Sequence, residues 1–180
     1  MDHTRSIRPA TDADIAALQD IESAADSLFD DVFGPEPFGP DSAEDGAARA
    51  ATKGFLLVVA EKPGGPPIGF AHVLQFPQSC LSGTAHLEQV AVRPEHLRRG
   101  HGRALVEASC TAAAERGITR VTLRTYADIE WNRPFYESCG FEVTAAIDAT
   151  PYREMERVEA ELGLARHGAR VLMARELSTS

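Results

Sequence analysis

The sequence is poor in cysteine and has no long apolar run, and these two absences exclude several classes of protein. Its three cysteines, Cys80, Cys110 and Cys139, are far apart and form no CxxC pair, so neither a disulfide framework nor a zinc site is expected. The longest apolar run, residues 55–60, is far too short to span a bilayer. The first residues do not show the basic and then apolar pattern of a secretory signal. We therefore expect a cytoplasmic protein with no membrane partner.

Positive charge is also scarce. The 180 residues include 18 Lys and Arg against 27 Asp and Glu, which gives a net charge of −9. Binding to nucleic acid draws on a surplus of basic side chains, so no nucleic-acid partner is expected, and the charge favours a cationic small molecule. The length and the hydrophobic content of 43% are typical of one soluble globular domain with a sizeable core.

Apolar periodicity and turn residues divide the chain into alternating strands and helices. Thr11 predicts an N-cap, with Asp14 three residues further on, for an amphipathic helix over residues 12–29. Residues 30–41, dense in Gly, Pro and Asp, predict a loop. Helices are further predicted at 42–52, 102–116, 132–140 and 151–162, and strands at 6–11, 55–62, 67–76, 85–92, 118–126, 141–147 and 169–177. This order predicts a single α/β domain with a mixed sheet.

Residues 98–105, RRGHGRAL, place two glycines and three arginines where a predicted strand turns into a predicted helix. Gly100 and Gly102 have no Cβ, so they allow a positive φ and the close approach of a ligand. The unpaired N–H groups and the dipole of a helix N-terminus bind phosphate, and Arg98, Arg99 and Arg103 add positive charge. The stretch predicts a diphosphate site, and the alternative is a tight turn with solvated arginines. A Rossmann site fits badly, because a third glycine is missing at the required spacing and several elements precede the turn.

Two segments together resemble the GCN5-related N-acetyltransferase (GNAT) superfamily. Residues 87–109, LEQVAVRPEHLRRGHGRALVEAS, resemble its acetyl-CoA pyrophosphate motif, written Q/R-x-x-G-x-G/A. Residues 132–141, NRPFYESCGF, resemble its N-x-x-x-Y-x-x-x-G-F segment. Leu97 stands where the family usually has Gln or Arg, and Arg98 or Arg99 would supply the missing charge. The order of elements also follows that fold, so the resemblance extends from Ile7 to Leu177.

The resemblance implies a single-domain GNAT-like fold over residues 1–180, an α/β (α+β) arrangement with a mixed central sheet of about seven strands flanked by helices. Residues from about 5 to 97 would supply the N-terminal strands, the acceptor-side helices and the cofactor strand. Residues 98–144 would form the acetyl-CoA-binding core, and residues 145–180 a helical insertion and the closing strand. Acetyl-CoA is the implied co-substrate, and no metal is expected.

The resemblance also implies individual cofactor contacts. The pantetheine amides would pair with the strand edge at residues 90–92, backbone N–H groups from 98 to 104 would hold the pyrophosphate, and Asn132 would lie beside the pantetheine arm. The cofactor-binding residues so implied are Val90, Ala91, Val92, Arg98, Arg99, Gly100, His101, Gly102, Arg103, Ala104, Asn132 and Phe135.

Acetyl transfer from a thioester to an amine needs a neutral amine, a stabilised oxyanion and a protonated leaving thiolate. The resemblance places the Tyr136 hydroxyl near the thioester sulfur as general acid, and the alternative is a core tyrosine.

Glu88 is our candidate base, because desolvation on an apolar strand would raise the pKa of its carboxyl; the alternative is an exposed or salt-bridged residue. His86 is the reserve base, and the alternative is a rim histidine. His101 is expected to face solvent.

The acceptor site is the least defined part of the sequence. Around the predicted loop, Phe29, Phe33 and Phe38 stand among Asp30 and Asp31. Aromatic rings and carboxylates can hold a cationic amine, and the alternative is a solvated acidic loop anchored by its phenylalanines. The insertion at residues 148–168 would cap the pocket or form a dimer surface, or would be a plain solvent-facing helix.

We expect an acetyl-CoA-dependent N-acetyltransferase in which a primary amine attacks directly in a ternary complex. A small-molecule amine is the first choice of acceptor, and a protein N-terminus or lysine is the second. Two alternative functions stay open: a non-catalytic acyl-CoA-binding regulatory module and a nucleotide-binding protein. Assembly as a homodimer is compatible with each of these functions and also stays open.

Overall fold

The computed structural model of the protein describes residues 5–39, 42–77, 79 and 81–178. Cys80 and the last two positions of the predicted loop at 30–41 lie outside the described residues. The strands are β1 (Ser6–Pro9), β2 (Gly54–Ala60), β3 (Gly69–Gln75), β4 (Thr84–Val92), β5 (Arg120–Tyr126), β6 (Glu142–Val143) and β7 (Arg170–Glu176). The helices are α1 (Asp12–Asp26), α2 (Asp30–Phe33), α3 (Gly46–Ala51), α4 (His101–Glu115), α5 (Arg133–Ser138) and α6 (Thr150–Glu161).

The seven strands form one mixed sheet in the order β1-β2-β3-β4-β5-β7-β6. The pairs β1–β2, β2–β3, β5–β7 and β6–β7 are antiparallel, and β4 pairs with β5 in parallel. The expected α/β fold with a mixed sheet of seven strands and flanking helices is confirmed. None of the helices in the described ranges combines the length and the apolar character that a membrane span needs.

Contacts within the chain define two compact units, and strand β4 and helix α4 each run from one into the other. The first unit comprises residues 1–74 and 87–111. Its core is built by α1, β2, β3 and β4, which bury Leu18, Ile21, Val58, Phe70 and Ala91 against one another. The second unit comprises residues 75–86 and 112–180 and buries apolar side chains from β5, β7 and α6, together with Cys139 and Phe141, which follow α5.

Helix α1 begins at the predicted cap. The backbone N–H and the hydroxyl of Thr11 both donate to the carboxylate of Asp14, at 2.8 and 2.7 Å. Two nitrogens of Arg8 on β1 bind the same carboxylate at 2.6 and 2.9 Å. These hydrogen bonds lower the pKa of Asp14 far below its ordinary value, in spite of its burial. The carboxylate therefore ties the first strand to the first helix.

Removing this carboxylate should destabilise the first unit. We expect Asp14→Ala to lower the free energy of unfolding by about 2–3 kcal/mol, because it removes a helix cap and leaves Arg8 without its partner. Since folding lowers the pKa of Asp14, its contribution is complete at neutral pH and is lost as the pH falls through the folded-state pKa. Urea denaturation at pH 7 and at acidic pH measures both effects.

The control is Asp12→Ala, because Asp12 is an exposed acid in the same first turn. An equal loss of stability in the two variants contradicts the assignment.

The structure corrects the predicted boundaries of a helix, a loop and a strand. The helix predicted over 12–29 ends at Asp26, where the Ser27 hydroxyl donates to the Ala24 carbonyl at 2.7 Å and a 3-10 turn follows. The predicted loop then opens with the short helix α2, which ends at Gly34 with a φ of 89°. The strand predicted over 141–147 keeps only the two residues of β6, because it lies at the edge of the sheet and pairs with β7 alone.

Candidate active site

Strand β4 pairs with β5 over only the first part of its length. The parallel register runs from Thr84 opposite Arg120 to His86 opposite Thr122, and no further pair is present among the described residues. Residues 87–92 therefore have a backbone edge that β5 does not occupy in this register. The N–H and C=O groups of such an edge can pair with the amides of an extended ligand. The predicted pantetheine-binding positions lie on this stretch: Val90, Ala91 and Val92.

The glycine turn leads from β4 into helix α4. Arg98 and Gly100 both have a positive φ, of 59° and 77°, and a Cβ at Gly100 would come within 3.2 Å of the Arg5 guanidinium. Arg5 also donates to the Gly100 carbonyl at 2.7 Å. We expected a positive φ at Gly102 as well, but this residue is the second of α4 and is helical. Gly100 alone of the two glycines makes the bend, and Gly102 keeps the first helical turn free of a side chain.

The first turn of α4 presents donors to an exposed surface. The N–H of Ala104 donates to the Gly100 carbonyl at 3.1 Å, and the N–H groups that precede it have no acceptor within the helix, by α-helix geometry. Arg98, Arg99 and Arg103 are exposed around this turn, and Arg99 pairs with Glu61 at 3.1 Å. Donors, a glycine and basic side chains at one helix N-terminus fit a diphosphate group.

His101 lies in the same turn. We expected its side chain to face solvent, but it is buried. The residue is only 6% exposed, and its ring lies 6.4 Å from that of His96, edge to face. Burial lowers the pKa of His101, and the nearby Arg5 and His96 lower it further. The side chain is therefore a packed part of the turn, and only its backbone N–H is left as a candidate phosphate donor.

Glu88 lies on β4 within a cluster of charged side chains. Its Oε2 accepts a hydrogen bond from Arg49 Nη1 at 2.5 Å and lies 3.2 Å from His72 Nδ1. Burial alone would raise the pKa of Glu88, but the hydrogen bond with His72 and the charge of Arg49 lower it to about 2. This is opposite to the raised pKa that we expected for a carboxylate on an apolar strand. The salt-bridged alternative is the one that the structure contains.

Arg49 connects Glu88 to helix α1. Its Nη2 binds both carboxylate oxygens of Glu22, at 2.8 and 2.6 Å, and Gln89 donates to Glu22 at 2.8 Å. Burial raises the pKa of Glu22 to about 7 although Arg49 lowers it, and the negative charge of Glu88 raises it further. Burial likewise raises the pKa of Asp26, one turn further along α1, to about 6.

Glu22, Arg49 and His72 belong to this cluster but are not among the predicted site residues. Each stands in an otherwise apolar or small-residue setting: Glu22 beside Ile21 on the buried side of α1, Arg49 in GAARAA, and His72 in GFAHVLQ. A buried charged residue is informative because it needs a partner. Three isolated polar residues in such settings are a signal that could have indicated the cluster.

A metal ion does not fit this cluster. Ligand atoms of Glu44, His72 and Glu88 lie within 4.8 Å of one another. Arg49 Nη1, however, lies 3.3 Å from Glu44 Oε2 and 2.5 Å from Glu88 Oε2. The guanidinium is thus the cation that these side chains hold, and a metal ion would meet its positive charge.

Tyr136, in the second unit, lies on the short helix α5. Its ring packs edge to face against Phe135 at 5.1 Å and Phe141 at 6.1 Å. Burial raises the pKa of Tyr136 to about 12, so its hydroxyl keeps its proton at neutral pH and is available as a hydrogen-bond donor. Asn132 caps this helix, and its carbonyl accepts the Tyr136 N–H at 3.0 Å.

His86 is a buried residue and not the rim histidine of the alternative interpretation. It is 4% exposed, and its Nδ1 lies 2.9 Å from the Thr122 hydroxyl, which in turn lies 2.7 Å from the Tyr152 hydroxyl. The ring also packs against those of Phe76 and Tyr152. These contacts give His86 a packing role within the second unit and weaken the case for it as a base.

The predicted acceptor-side aromatics are brought together. Phe29 and Phe33 stack with their ring centroids 5.6 Å apart, and Phe38 meets Phe29 edge to face at 5.2 Å. Asp31 is exposed, and Asp30 accepts the N–H of residue 36 at 3.1 Å, which closes the turn after α2. The three rings therefore anchor this segment, with exposed carboxylates beside them.

Comparisons with known proteins bear on this arrangement. The model of the Acetyltransferase (GNAT) family matches residues 18–141. Mycothiol acetyltransferase from Kocuria rhizophila is 36% identical over 91 residues, which cover 50% of this chain and 30% of that protein. The chain therefore matches less than a third of the length of this relative.

Solved structures resemble the whole chain. The ribosomal-protein-S18-alanine N-acetyltransferase of Escherichia coli has a TM-score of 0.68 at 20% identity, over 98% of this chain and 96% of that one. The PaiA N-acetyltransferase of Thermoplasma acidophilum, in complex with coenzyme A, has a TM-score of 0.61 at 14% identity, over 96% and 99%. At these identities the likeness shows a shared fold.

Proposed function

The chain belongs to the GNAT acetyltransferase family, and on this basis we propose that it transfers an acetyl group from acetyl-CoA to the nitrogen of a primary amine. The observation that carries the proposal is the edge of β4 at residues 87–92, which is followed, after a 3-10 turn at Pro94–His96, by the glycine turn and the N-terminus of α4. An extended amide-bearing arm that ends in a diphosphate matches these two features in this order.

The cofactor would be held mainly by the backbone. The edge at residues 90–92 would bind the pantetheine amides, and the N–H groups from 98 to 103 would bind the pyrophosphate, with Arg98, Arg99 and Arg103 adding charge. The predicted donor Ala104 is set aside, because its N–H is already bound to the Gly100 carbonyl. Asn132 and Phe135 stay our choices for the pantetheine arm. When bound, acetyl-CoA supplies an activated thioester carbonyl, and the chain supplies orientation and charge.

Glu88 would receive the acceptor amine. A carboxylate whose pKa is about 2 stays ionised at neutral pH and does not retain a proton. We therefore revise its role from base to anion. Glu88 binds the acceptor as its ammonium, and the ammonium loses its proton to solvent before the neutral amine attacks.

Tyr136 would act on the leaving group of the reaction, the thiolate of coenzyme A. A phenol whose pKa is raised to about 12 is protonated throughout the neutral range, so it can donate a hydrogen bond or a proton to a departing thiolate. The apolar contacts with Phe135 and Phe141 fix the ring and therefore the direction of the hydroxyl.

The proposed acceptor is a small cationic amine. The net charge of −9 and the carboxylates of Glu88, Asp30 and Asp31 favour a positively charged molecule, and the rings of Phe29 and Phe33 can pack against one. A protein N-terminus or lysine is the second candidate. A CoA-binding module without turnover is the third. We propose the cytoplasm as the location.

An acetyl-transfer screen tests the proposal. Purified protein is mixed with acetyl-CoA and a panel of polyamines, amino acids, aminoglycosides and short peptides, and release of free thiol is followed. Turnover with a cationic small amine and none with peptides is the expected result. Turnover with peptides alone overturns the proposed acceptor. Thermal stabilisation by acetyl-CoA without turnover on any amine overturns the enzymatic proposal, and stabilisation by ATP or NAD alone also overturns the proposed cofactor.

A further inference from the structure

Arg49 is held from several elements of the first unit at once. Its side chain is 2% exposed and binds Glu22 on α1 through Nη2 and Glu88 on β4 through Nη1. The guanidinium also lies over the Phe70 ring of β3, 5.4 Å from its centroid. Because a planar guanidinium binds at fixed angles, these contacts allow it one orientation. Glu88 Oε2 is therefore bound to a guanidinium that other elements hold in place.

We infer that Arg49 is a positioning residue for Glu88: it holds Oε2 and leaves Oε1 to receive the acceptor as an ammonium ion. The inference rests on the acetyl transfer proposed above and specifies how the acceptor is recognised. The Glu88 side chain is 35% exposed although Oε2 is bound within the cluster, so part of the side chain is open to a ligand. The geometry selects acceptors that arrive as cations.

The ionised state of Glu88 depends strongly on Arg49, because several other charged side chains lie nearby. Side chains that face Glu88 or its partner guanidinium come from α1, from the segment before α3, from α3 and from β3. They are Glu22, Asp26, Glu44, Arg49 and His72. Arg49 contributes the guanidinium that several of these carboxylates share. Without it, mutual repulsion among the carboxylates would favour protonation of Glu88 and weaken its attraction for an ammonium ion.

A purely structural role for Arg49 makes different predictions. If the residue only ties α1 and α3 to β4, its loss lowers stability and affects kcat and KM together. If it positions Glu88, its loss raises the KM for the amine more than it lowers kcat, because the interaction with the ammonium is made in the ground state. It also makes kcat/KM fall more steeply towards acidic pH than in the wild type, because Glu88 then takes up a proton more readily.

The test compares Arg49→Met with Arg49→Lys and with a control in the second unit. Arg124 is 13% exposed and binds Glu159 at 2.9 Å, so Arg124→Met disrupts a comparable ion-pair network that does not include Glu88. We expect Arg49→Met to raise the KM for the amine about tenfold or more, with a smaller change in kcat and with kcat/KM falling more steeply below neutral pH than in the wild type. Arg49→Lys keeps the charge but not the planar fork, so it should recover part of the KM and bring the pH profile back towards that of the wild type. Arg124→Met should change neither.

Three results would overturn the inference: an unchanged KM and pH profile in Arg49→Met, no rescue in Arg49→Lys, or the same changes in Arg124→Met. Should Arg49→Met not fold, Arg49→Lys and a carbon-13 NMR titration of the wild-type Glu88 carboxyl decide the matter. A Glu88 pKa in the ordinary glutamate range overturns the inference. The titration needs no turnover, so it separates this inference from the proposed function. If the protein acetylates no amine but Glu88 is still ionised through Arg49, only the proposed function is refuted.

Discussion

Gly102→Asp should abolish the binding of coenzyme A and leave the protein folded. Gly102 is the second residue of α4, so an aspartate there meets the positive end of the helix dipole, which favours folding. The same carboxylate would stand where the N–H groups of the turn are proposed to bind pyrophosphate. Loss of two or more charge-assisted hydrogen bonds, together with repulsion between like charges, should weaken binding by about 100-fold or more. Isothermal titration calorimetry with coenzyme A measures the effect.

Gly102→Ala is the matched control. It adds a Cβ and no charge, so its affinity for coenzyme A should lie between those of the wild type and of Gly102→Asp, while thermal denaturation shows that both variants are folded. Wild-type affinity in folded Gly102→Asp would remove the N-terminus of α4 from the cofactor site.

The second large effect is expected for Tyr136→Phe. The change removes one hydroxyl from a ring that Phe135 and Phe141 hold in place, so the fold and the affinity for coenzyme A should be preserved. A general acid contributes about 100-fold or more to a rate. We expect kcat to fall by about that factor, with little change in the KM for acetyl-CoA.

Tyr126→Phe controls for the loss of a tyrosine hydroxyl in the same unit. The Tyr126 hydroxyl donates to the Leu164 carbonyl at 3.2 Å, so its removal should affect stability and leave kcat near that of the wild type. A Tyr136→Phe enzyme with undiminished kcat would assign Tyr136 to packing alone. Equal losses in the two variants would point to a structural effect.

The parts of the fold that the sequence predicts well are those set by neighbouring residues. The capping box of Thr11 and Asp14 and the bend at Gly100 depend on residues a few positions apart, and both are present. Strand β6 was predicted too long because apolar alternation indicates a strand, while its length depends on the strand that pairs with it. The helical segment 30–33 was missed because the Gly and Pro residues that follow it dominated the pattern.

The charged cluster could not be predicted in the same way. Glu22, Arg49, His72 and Glu88 come from four separate elements, and only the packed sheet brings them together. The sequence could indicate Glu88 as a candidate, because this residue lies on the predicted cofactor strand. It could not indicate the direction in which the pKa of Glu88 is shifted. That direction depends on Arg49, a partner 39 positions away in the chain.

The central claim is that the β4 edge and the turn at residues 98–104 form the coenzyme A site. A crystal structure of the protein with coenzyme A tests it most directly. We predict the pyrophosphate on the N–H groups of the α4 N-terminus and the pantetheine amides paired with residues 90–92. Coenzyme A bound elsewhere, or a turn filled by the protein's own side chains in a crystal grown with the ligand, would contradict the account.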